Sequence, residues 1–223
     1  IIQPAFAAEP NINEKASAIN KLLILRGDGN DFNLAGKLRR SEAAAFIVRA
    51  LGKESFINTS GDKYTKTKFP DVKEGMWYVP YIAYCSEQSI IGGYPNGNFG
   101  PNDYISEKAF LKIVLGALGY RENVDFTWDN IYQVAFNVGI VKDSKYQTQS
   151  VDNVDYKREE VINALFNAMG KPHKNSGVSL LQNLVNERIV REEVARATGI
   201  VTDEIVTAIS SVAVVNETKV TVK

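Results

Sequence analysis

The sequence predicts a mainly α-helical fold built from a unit that occurs three times. Three segments of the 223-residue chain share one apolar pattern and end at a glycine: Leu38–Gly52, Ile105–Gly119 and Tyr156–Gly170. In each segment the glycine lies 14 positions after the first residue, and the apolar side chains recur at the spacing of one helix face. Three equivalent helices with one apolar stripe each would bury those stripes against one another, which predicts a central three-helix bundle.

The apolar stripe occupies positions +5, +6, +9 and +13 of each segment. Its members are Ala43, Ala44, Ile47 and Leu51, then Phe110, Leu111, Val114 and Leu118, then Val161, Ile162, Leu165 and Met169. The glycine that follows each stripe suits a left-handed helix cap, so we expect a positive φ at Gly52, Gly119 and Gly170.

A second, shorter helix is predicted before each segment, at about residues 13–25, 79–88 and 128–138. A loop joins the two helices of each copy. In the first two copies this loop is rich in Gly, Asn and Asp, which tolerate the positive φ of tight turns, and it carries Phe32 or Phe99 six residues before the next segment. The third loop, residues 142–155, lacks this signature.

The two ends of the chain have a different character. Residues 1–8 include Ala5-Phe6-Ala7, a small-x-small pattern that resembles the end of a secretory signal, the alternative being an arbitrary chain start. Residues 179–197 predict one amphipathic helix, and the alternating valines near the C-terminus predict the truncated start of a β domain. No apolar run is long enough to span a membrane.

Composition excludes several function classes. Lys+Arg and Asp+Glu both number 26, so the basic excess typical of nucleic-acid binders is missing. One cysteine and one histidine cannot form an internal disulfide or an ordinary zinc cluster, and they make a catalytic triad improbable. We therefore expect no metal, no cofactor and no catalytic residues, with Cys85 buried in a helix and His173 in a solvated loop.

The second copy carries an ordered set of motifs. They are Phe69-Pro70-Asp71-Val72, Trp77, Ile82-Ala83-Tyr84, Ile90–Pro101 and Ile105. This set resembles the S-layer homology (SLH) repeat, whose pattern is F-x-D-V, then W, a helix, G-I-x-x-G-Y-x-D-G-x-F-x-P and I-T-R-A-E. The resemblance covers roughly residues 9–200, strongly in the second copy and in parts elsewhere, and three tandem copies is the usual number in the family. It divides the chain into a signal remnant at 1–8, repeats at 9–66, 67–122 and 123–175, a helical segment at 176–200 and a β (Ig-like) start at 201–223.

The resemblance implies a fold and an activity. The fold is a pseudo-threefold trimer of repeats within one chain, with grooves between its lobes. The activity is the non-covalent attachment of a secreted S-layer or surface protein to the bacterial cell wall, through secondary cell-wall polysaccharide that often carries pyruvylated sugars. The expected partners are this polysaccharide and neighbouring S-layer subunits, with no nucleic acid and no membrane span.

A pyruvylated sugar presents a carboxylate, which the planar fork of an arginine suits. The family's T-R-A-E motif puts its arginine at a helix start, where free N–H groups and the helix dipole also favour an anion. The matching residues in the first and third copies are Arg40, Glu42, Arg158 and Glu160. The second copy has Glu107 at the arginine position, followed by Lys108. We therefore expect unequal grooves, with binding at Arg40 and Arg158 and a weak or structural groove at Glu107, where the carboxylate would repel the ligand and Lys108 could swing in toward it.

The other candidate glycan contacts lie in the loops and on one aromatic side chain. They are Gly27, Asp28, Gly93, Tyr94, Asn96, Gly97 and Trp77. Loop glycines allow a sugar to approach the backbone, but they also serve as turn residues. Trp77 suits either sugar stacking or the core, whereas Trp128 is expected in the core. For each arginine the alternative is a salt bridge to a neighbouring glutamate.

Two other functions remain open from the sequence. A protein-interaction or lattice-contact module would self-associate without added glycan. A glycan-cleaving enzyme needs two carboxylates about 5–10 Å apart in a cleft, and no pair of acidic residues stands out for that role.

Overall fold

The computed structural model describes residues 9–26 and 31–202. These residues contain nine α-helices: α1 Ile12–Lys21, α2 Arg40–Ala50, α3 Glu54–Thr59, α4 Val79–Glu87, α5 Glu107–Ala117, α6 Ile131–Val138, α7 Arg158–Met169, α8 Leu180–Asn186 and α9 Glu192–Arg196. Among them, β structure is limited to isolated bridges. The predicted mainly α class is confirmed. The signal remnant and most of the β start lie outside the described residues.

The long helices α2, α5 and α7 form the interior. Eleven of the twelve predicted stripe residues are buried, and Leu51 is partly buried against the same core. Helix α5 packs against both α2 and α7. The apolar stripe is therefore confirmed, while the pseudo-threefold trimer stays a prediction.

The first helix of each predicted copy packs on the long helix of a different copy. Helix α4 packs on α2, α6 packs on α5, and the first helix, α1, packs on the last long helix, α7. Lys15 in α1 fixes this last contact, because its buried ammonium donates a 2.7 Å hydrogen bond to Asn163 Oδ1 and pairs with Glu9 at 2.8 Å. The beginning of the repeat region thus closes against its end.

The first two backbone N–H groups of each long helix donate to a loop from another copy. At α2, the N–H groups of Arg40 and Ser41 donate to the carbonyls of Asp103 and Pro101, at 2.9 and 3.2 Å. At α5 the Glu107 N–H donates to the Asn153 carbonyl and the Lys108 N–H to the side-chain carboxylate of Asp152. At α7 the N–H groups of Arg158 and Glu159 donate to the carbonyls of Gly36 and Leu34. These N–H groups would otherwise be unpaired. The expectation that they are free for an anion is therefore wrong, because loops from other copies already accept from them.

The predicted glycine caps are confirmed in two copies and wrong in the third. Gly52 and Gly119 have φ angles of 69° and 84°, in the left-handed region. Gly170 has φ −85° and is not left-handed. Its lack of a side chain still matters, since a Cβ there would lie 2.3 Å from the carbonyl oxygen of Val201.

Two predicted helices are shorter than expected because a non-glycine residue takes a positive φ. Helix α1 ends at Lys21, before Leu23 with φ 62°, whereas the prediction extended to residue 25. The single helix predicted at 179–197 is two helices, α8 and α9, separated by Arg188 with φ 57°.

The burial of the single cysteine agrees with the prediction, whereas that of the single histidine does not. Cys85 is fully buried, as expected, and burial raises the pKa of its thiol. His173 was expected to be solvated, but its ring is partly buried against Gly119. No helix in residues 9–26 and 31–202 combines the length and apolar character needed to cross a bilayer.

Candidate functional site

A groove of about 550 Å³ lies between the start of α2, the glycine-rich loop 92–101 and helix α5. We call it the Arg40 groove. The residues lining it that matter most are Arg40, Gly93, Tyr94, Phe99, Lys112 and Trp128. They come from all three predicted copies, so the groove is assembled by the packing of the whole repeat region.

The Arg40 guanidinium is fixed at the wall of this groove. Its Nε donates to the Phe99 carbonyl at 2.8 Å and its Nη2 to the Gly92 carbonyl at 3.1 Å. The rings of Tyr94 and Phe99 both lie 4.7 Å from the guanidinium carbon. Burial lowers the pKa of Arg40, but arginine titrates so far above neutrality that the group stays charged.

Arg40 keeps hydrogen-bonding capacity for a ligand. A guanidinium has five N–H donors, and two of them are used by the loop carbonyls. Within the described part of the chain Arg40 forms no salt bridge, so the salt-bridge alternative does not hold for this arginine. A half-buried cation with unused donors at a groove is chemically suited to an anion.

Asp71, from the F-x-D-V motif, holds the loop over Arg40. Its two carboxylate oxygens accept from the N–H groups of Phe99 and Gly100, at 2.8 and 2.7 Å. Phe99 in turn supplies the carbonyl that receives Arg40 Nε. The aspartate therefore positions the arginine through the loop backbone.

The local geometry explains why glycine occupies two positions of the loop. A Cβ on Gly93 would lie 2.6 Å from the Asn98 carbonyl oxygen and 2.7 Å from the Phe69 ring, which leaves no room for a side chain. Gly97 has φ 86°, and the Asn96 side chain accepts from the Asn98 N–H at 3.0 Å within the same turn. The turn role of these residues is thus shown, and sugar contact by Gly93, Tyr94, Asn96 and Gly97 stays a prediction.

The groove is also lined by residues that the sequence analysis missed or misjudged. Trp128 is 43% exposed, so the prediction that it lies in the core is wrong. Lys112 pairs with Glu122 at 2.6 Å and was not predicted as part of any site. A signal was available, because Lys112 is the one charged residue within the apolar run from Phe110 to Leu115.

Glu107, at the position of Arg40 in the second copy, is 2% exposed. Its carboxylate accepts hydrogen bonds from the hydroxyls of Tyr146 at 2.6 Å and Tyr132 at 3.1 Å, and from Gln149 at 3.4 Å. Burial raises its pKa, against the lowering effect of the two tyrosines. This network ties the third loop to α5 and matches the predicted structural role of Glu107.

Lys108 follows Glu107 and is also buried, with 4% exposure. Its ammonium donates to the Trp128 carbonyl at 3.2 Å and lies 5.5 Å from the centre of the Tyr132 ring. The structure therefore places this predicted glycan contact under Trp128.

Arg158, the equivalent residue of the third copy, has a carboxylate partner. Its Nη2 donates to Glu42 Oε1 at 3.1 Å, and the Phe46 ring lies 6.0 Å away. Its buried Nε has no hydrogen-bond partner among the described residues. The salt-bridge alternative thus applies to Arg158, with a glutamate from another copy.

The remaining predicted site residues have identifiable positions. Glu42 and Glu160 accept from the N–H groups of Arg39 and Lys157, at 2.7 and 2.8 Å, and so cap α2 and α7. Trp77 is 54% exposed, outside the Arg40 groove, with its ring packed edge-on against Tyr78 and Tyr81. The other two, Gly27 and Asp28, lie outside the described residues.

Comparison with known proteins finds one matching family and several relatives with cell-surface names. Residues 68–110 match the S-layer homology domain. The chain is 28% identical over 138 residues to a "Surface layer protein" of Brevibacillus choshinensis, covering 56% of this chain and 12% of that protein. It is 33% identical over 85 residues to a "Cellulosome-anchoring protein" of Acetivibrio thermocellus, covering 38% of this chain and 18% of that protein.

A third relative has an enzyme name. It is an "Endoglucanase" of Bacillus sp. (strain KSM-635), 27% identical over 113 residues, which cover 47% of this chain and 12% of that protein. The chain thus spans less than a fifth of the length of each of these three relatives. The predicted resemblance to the S-layer homology family is therefore confirmed, and the match places the family's domain at residues 68–110.

Proposed function

We propose that this chain anchors a surface protein to the bacterial cell wall by binding an anionic secondary cell-wall polysaccharide in the Arg40 groove. The family match and the names of the relatives support cell-wall attachment as the general role. The groove supplies the finer part of the proposal, which is the carboxylate of a pyruvylated sugar as the group recognised.

The observation that carries the proposal is the state of Arg40. It is a half-buried cation with unused donors and no salt bridge among the described residues, while the carboxylates of Asp103 and Asp71 act on it from a longer distance. Partly desolvated charges are costly unless they are paired, so an anion in the groove would bring a larger gain than at a solvated arginine. A ligand carboxylate is the anion that the family resemblance leads us to expect.

The groove also offers surfaces for the sugar ring. The exposed rings of Trp128 and Tyr104 line the same cavity as Arg40. Aromatic rings combine a large apolar face with a polar edge, which suits a sugar whose faces are apolar and whose rim carries hydroxyls. Lys112 provides a second cation near Gly92, partly neutralised by Glu122.

The three helix starts would then have unequal roles. Arg40 is the primary site. Arg158 is a secondary site, because Glu42 already occupies one of its donors and competes with a ligand carboxylate. Glu107 carries a buried carboxylate and provides no anion site.

The proposal assigns the chain a binding role outside the cell, in the wall, and no catalytic step. The relative named as an endoglucanase does not argue against this, since this chain aligns with 12% of that protein.

Calorimetric titration with purified pyruvylated wall polysaccharide tests the proposal. The same glycan stripped of its ketals serves as the ligand control. We expect binding to require the ketal, and Arg40→Ala to weaken it about tenfold or more, the effect of losing a charge-assisted hydrogen bond. Arg158→Ala should weaken it less.

The matched control is Arg196→Ala, which removes an exposed arginine of α9 that pairs with Glu192. It should bind as the parent does. Circular dichroism confirms that each variant is folded. Equal binding of the two glycans, or full affinity in a folded Arg40→Ala chain, contradicts the proposal. Self-association without glycan, together with no glycan binding, would favour the lattice-contact function.

A further inference from the structure

The first residue of each long helix lies near the third residue of another long helix. The first residues of α2, α5 and α7 are Arg40, Glu107 and Arg158, and the third residues are Glu42, Ala109 and Glu160. Arg158 of α7 donates to Glu42 of α2 at 3.1 Å. Arg40 of α2 lines the same groove as Ala109 of α5. The pKa of Glu107 in α5 is raised by burial and then by the Glu160 carboxylate of α7, so the same pairing recurs at all three helix starts.

The third residue determines whether the arginine beside it has a carboxylate partner. Glu42 accepts from the Arg39 N–H with one oxygen, at 2.7 Å, and from Arg158 with the other. One side chain therefore caps α2 and pairs with the arginine of α7. Ala109 has no carboxylate to offer, and Arg40 forms no salt bridge among the described residues.

The pairing with Glu42 leaves Arg158 incompletely bonded. Its buried Nε has no hydrogen-bond partner among the described residues, and only its Nη2 donates to Glu42. Nε and Nη2 lie on one edge of the guanidinium plane and can donate two parallel hydrogen bonds to a single carboxylate. A ligand carboxylate that replaced Glu42 would accept from both atoms. Glu42 is therefore a competitor that such a ligand can displace.

We infer that the third residue of the neighbouring helix decides which arginine is available to an anion, with Ala109 keeping Arg40 open and Glu42 keeping Arg158 closed. The choice of glycan as the anion rests on the proposed function. A protein carboxylate beside an arginine takes up its donors and repels a second anion, whereas an alanine does neither. Ala109 is absent from the predicted glycan contacts, and Glu42, which is among them, acts here against the glycan.

The first test closes the open site. Ala109→Glu places a carboxylate in the Arg40 groove. It also completes the S-x-x-E capping pattern that begins at Ser106, so α5 should lose no stability. In calorimetric titration with pyruvylated wall polysaccharide, we expect about tenfold weaker binding than in the parent. Ala109→Gln is the matched control, since it has the same length and suits the same cap but carries no charge, and it should bind within about threefold of the parent.

The second test opens the closed site. Glu42→Gln keeps the shape of the side chain and its capping role but removes the competing charge. Combined with Ala109→Glu, it should restore the binding that Ala109→Glu removes, and adding Arg158→Ala should abolish the restored binding. The control is Glu14→Gln, because Glu14 also caps a helix, α1, and pairs with no arginine among the described residues. It should restore nothing.

Three outcomes of the titrations overturn the inference. They are parental affinity in a folded Ala109→Glu chain, an equal loss in Ala109→Gln, and no restoration by Glu42→Gln in the Ala109→Glu background. In each of these cases the parent still binds the glycan, so the proposed function stands.

Urea denaturation without glycan tests the inference independently of the proposed function. We expect Ala109→Glu to raise the urea midpoint more in the parent than in Arg40→Ala, because the new carboxylate has its partner only in the parent. This coupling supports the inference even if the parent binds no pyruvylated glycan, a result that would contradict the proposed function alone. Equal midpoint shifts in the two backgrounds overturn the inference.

Discussion

The start of α2 and the start of α5 occupy equivalent positions in two copies, and they differ in how the overlying loop is held. At α2, the carboxylate of Asp71 binds the backbone of the glycine-rich loop, and Arg40 faces a groove. At α5, the helix residue itself, Glu107, is buried beneath the third loop and holds it through Tyr132 and Tyr146.

The difference shows that one backbone arrangement supports two opposite uses of the same position. Both helix starts donate two N–H groups to a loop from another copy, to two carbonyls at α2 and to one carbonyl and the Asp152 carboxylate at α5. At α2 the carboxylate that holds the loop belongs to Asp71, outside the helix, so Arg40 remains available for a ligand. A carboxylate on the helix, at Glu107, attracts hydroxyl donors from the protein and becomes part of the interior.

The strongest test of this comparison removes Glu107. Glu107→Ala leaves the hydroxyls of Tyr132 and Tyr146 without their acceptor in a buried site, and it opens a cavity. We expect a loss of about 3 kcal/mol in the free energy of unfolding. Urea denaturation followed by circular dichroism measures it.

Glu159→Ala is the control. Glu159 also lies in the first turn of a long helix, but among the described residues its carboxylate accepts no hydrogen bond from a tyrosine. It should cost at most about 1 kcal/mol, the effect of one charge at a helix start. Equal losses in the two variants would show that the tyrosine network contributes nothing to holding the third loop.

The second test removes the carboxylate of the other loop. Asp71→Ala leaves the N–H groups of Phe99 and Gly100 without their acceptor, and we expect it to cost about 2 kcal/mol. It should also weaken anionic glycan binding, because Phe99 orients Arg40. Denaturation and calorimetry give the two quantities.

The matched comparison is Glu107→Ala in the same calorimetric assay. It should lower stability while affinity for the anionic glycan stays close to the parental value, provided that the variant is folded. If Asp71→Ala binds the glycan normally, the aspartate has no part in positioning Arg40.

Much of this arrangement could be predicted from the sequence, because helical periodicity and local motifs are short-range signals. The apolar stripes, the buried Cys85 and the structural role of Glu107 follow from such signals. The groove wall formed by Trp128 and Lys112 does not, since it depends on contacts between copies. The pairing of α1 with α7 is likewise a consequence of closing the whole repeat region.

The smallest expected effect is a dependence of the free energy of unfolding on pH that arises from Glu107, at the start of α5. Burial raises the folded-state pKa of Glu107, while Glu160 raises it further and Lys145 lowers it. Below the ordinary value of 4.5 this residue is protonated in the folded and unfolded chains. As the pH rises above that value, the unfolded chain ionises first, so stability falls until the pH passes the folded pKa.

The pKa values of Glu9 and Glu54 are lowered by their partners and produce the opposite trend, so the parent alone does not isolate Glu107. Glu107→Gln provides the reference, since it keeps the shape of the side chain and cannot ionise. We expect the stability of the parent minus that of Glu107→Gln to decrease as the pH rises from about 4. A difference that is constant, or that increases with pH, would mean that Glu107 ionises as easily inside the protein as in water. Its burial between two tyrosines would then impose no cost on its charge, and the electrostatic contrast with Arg40 would be lost.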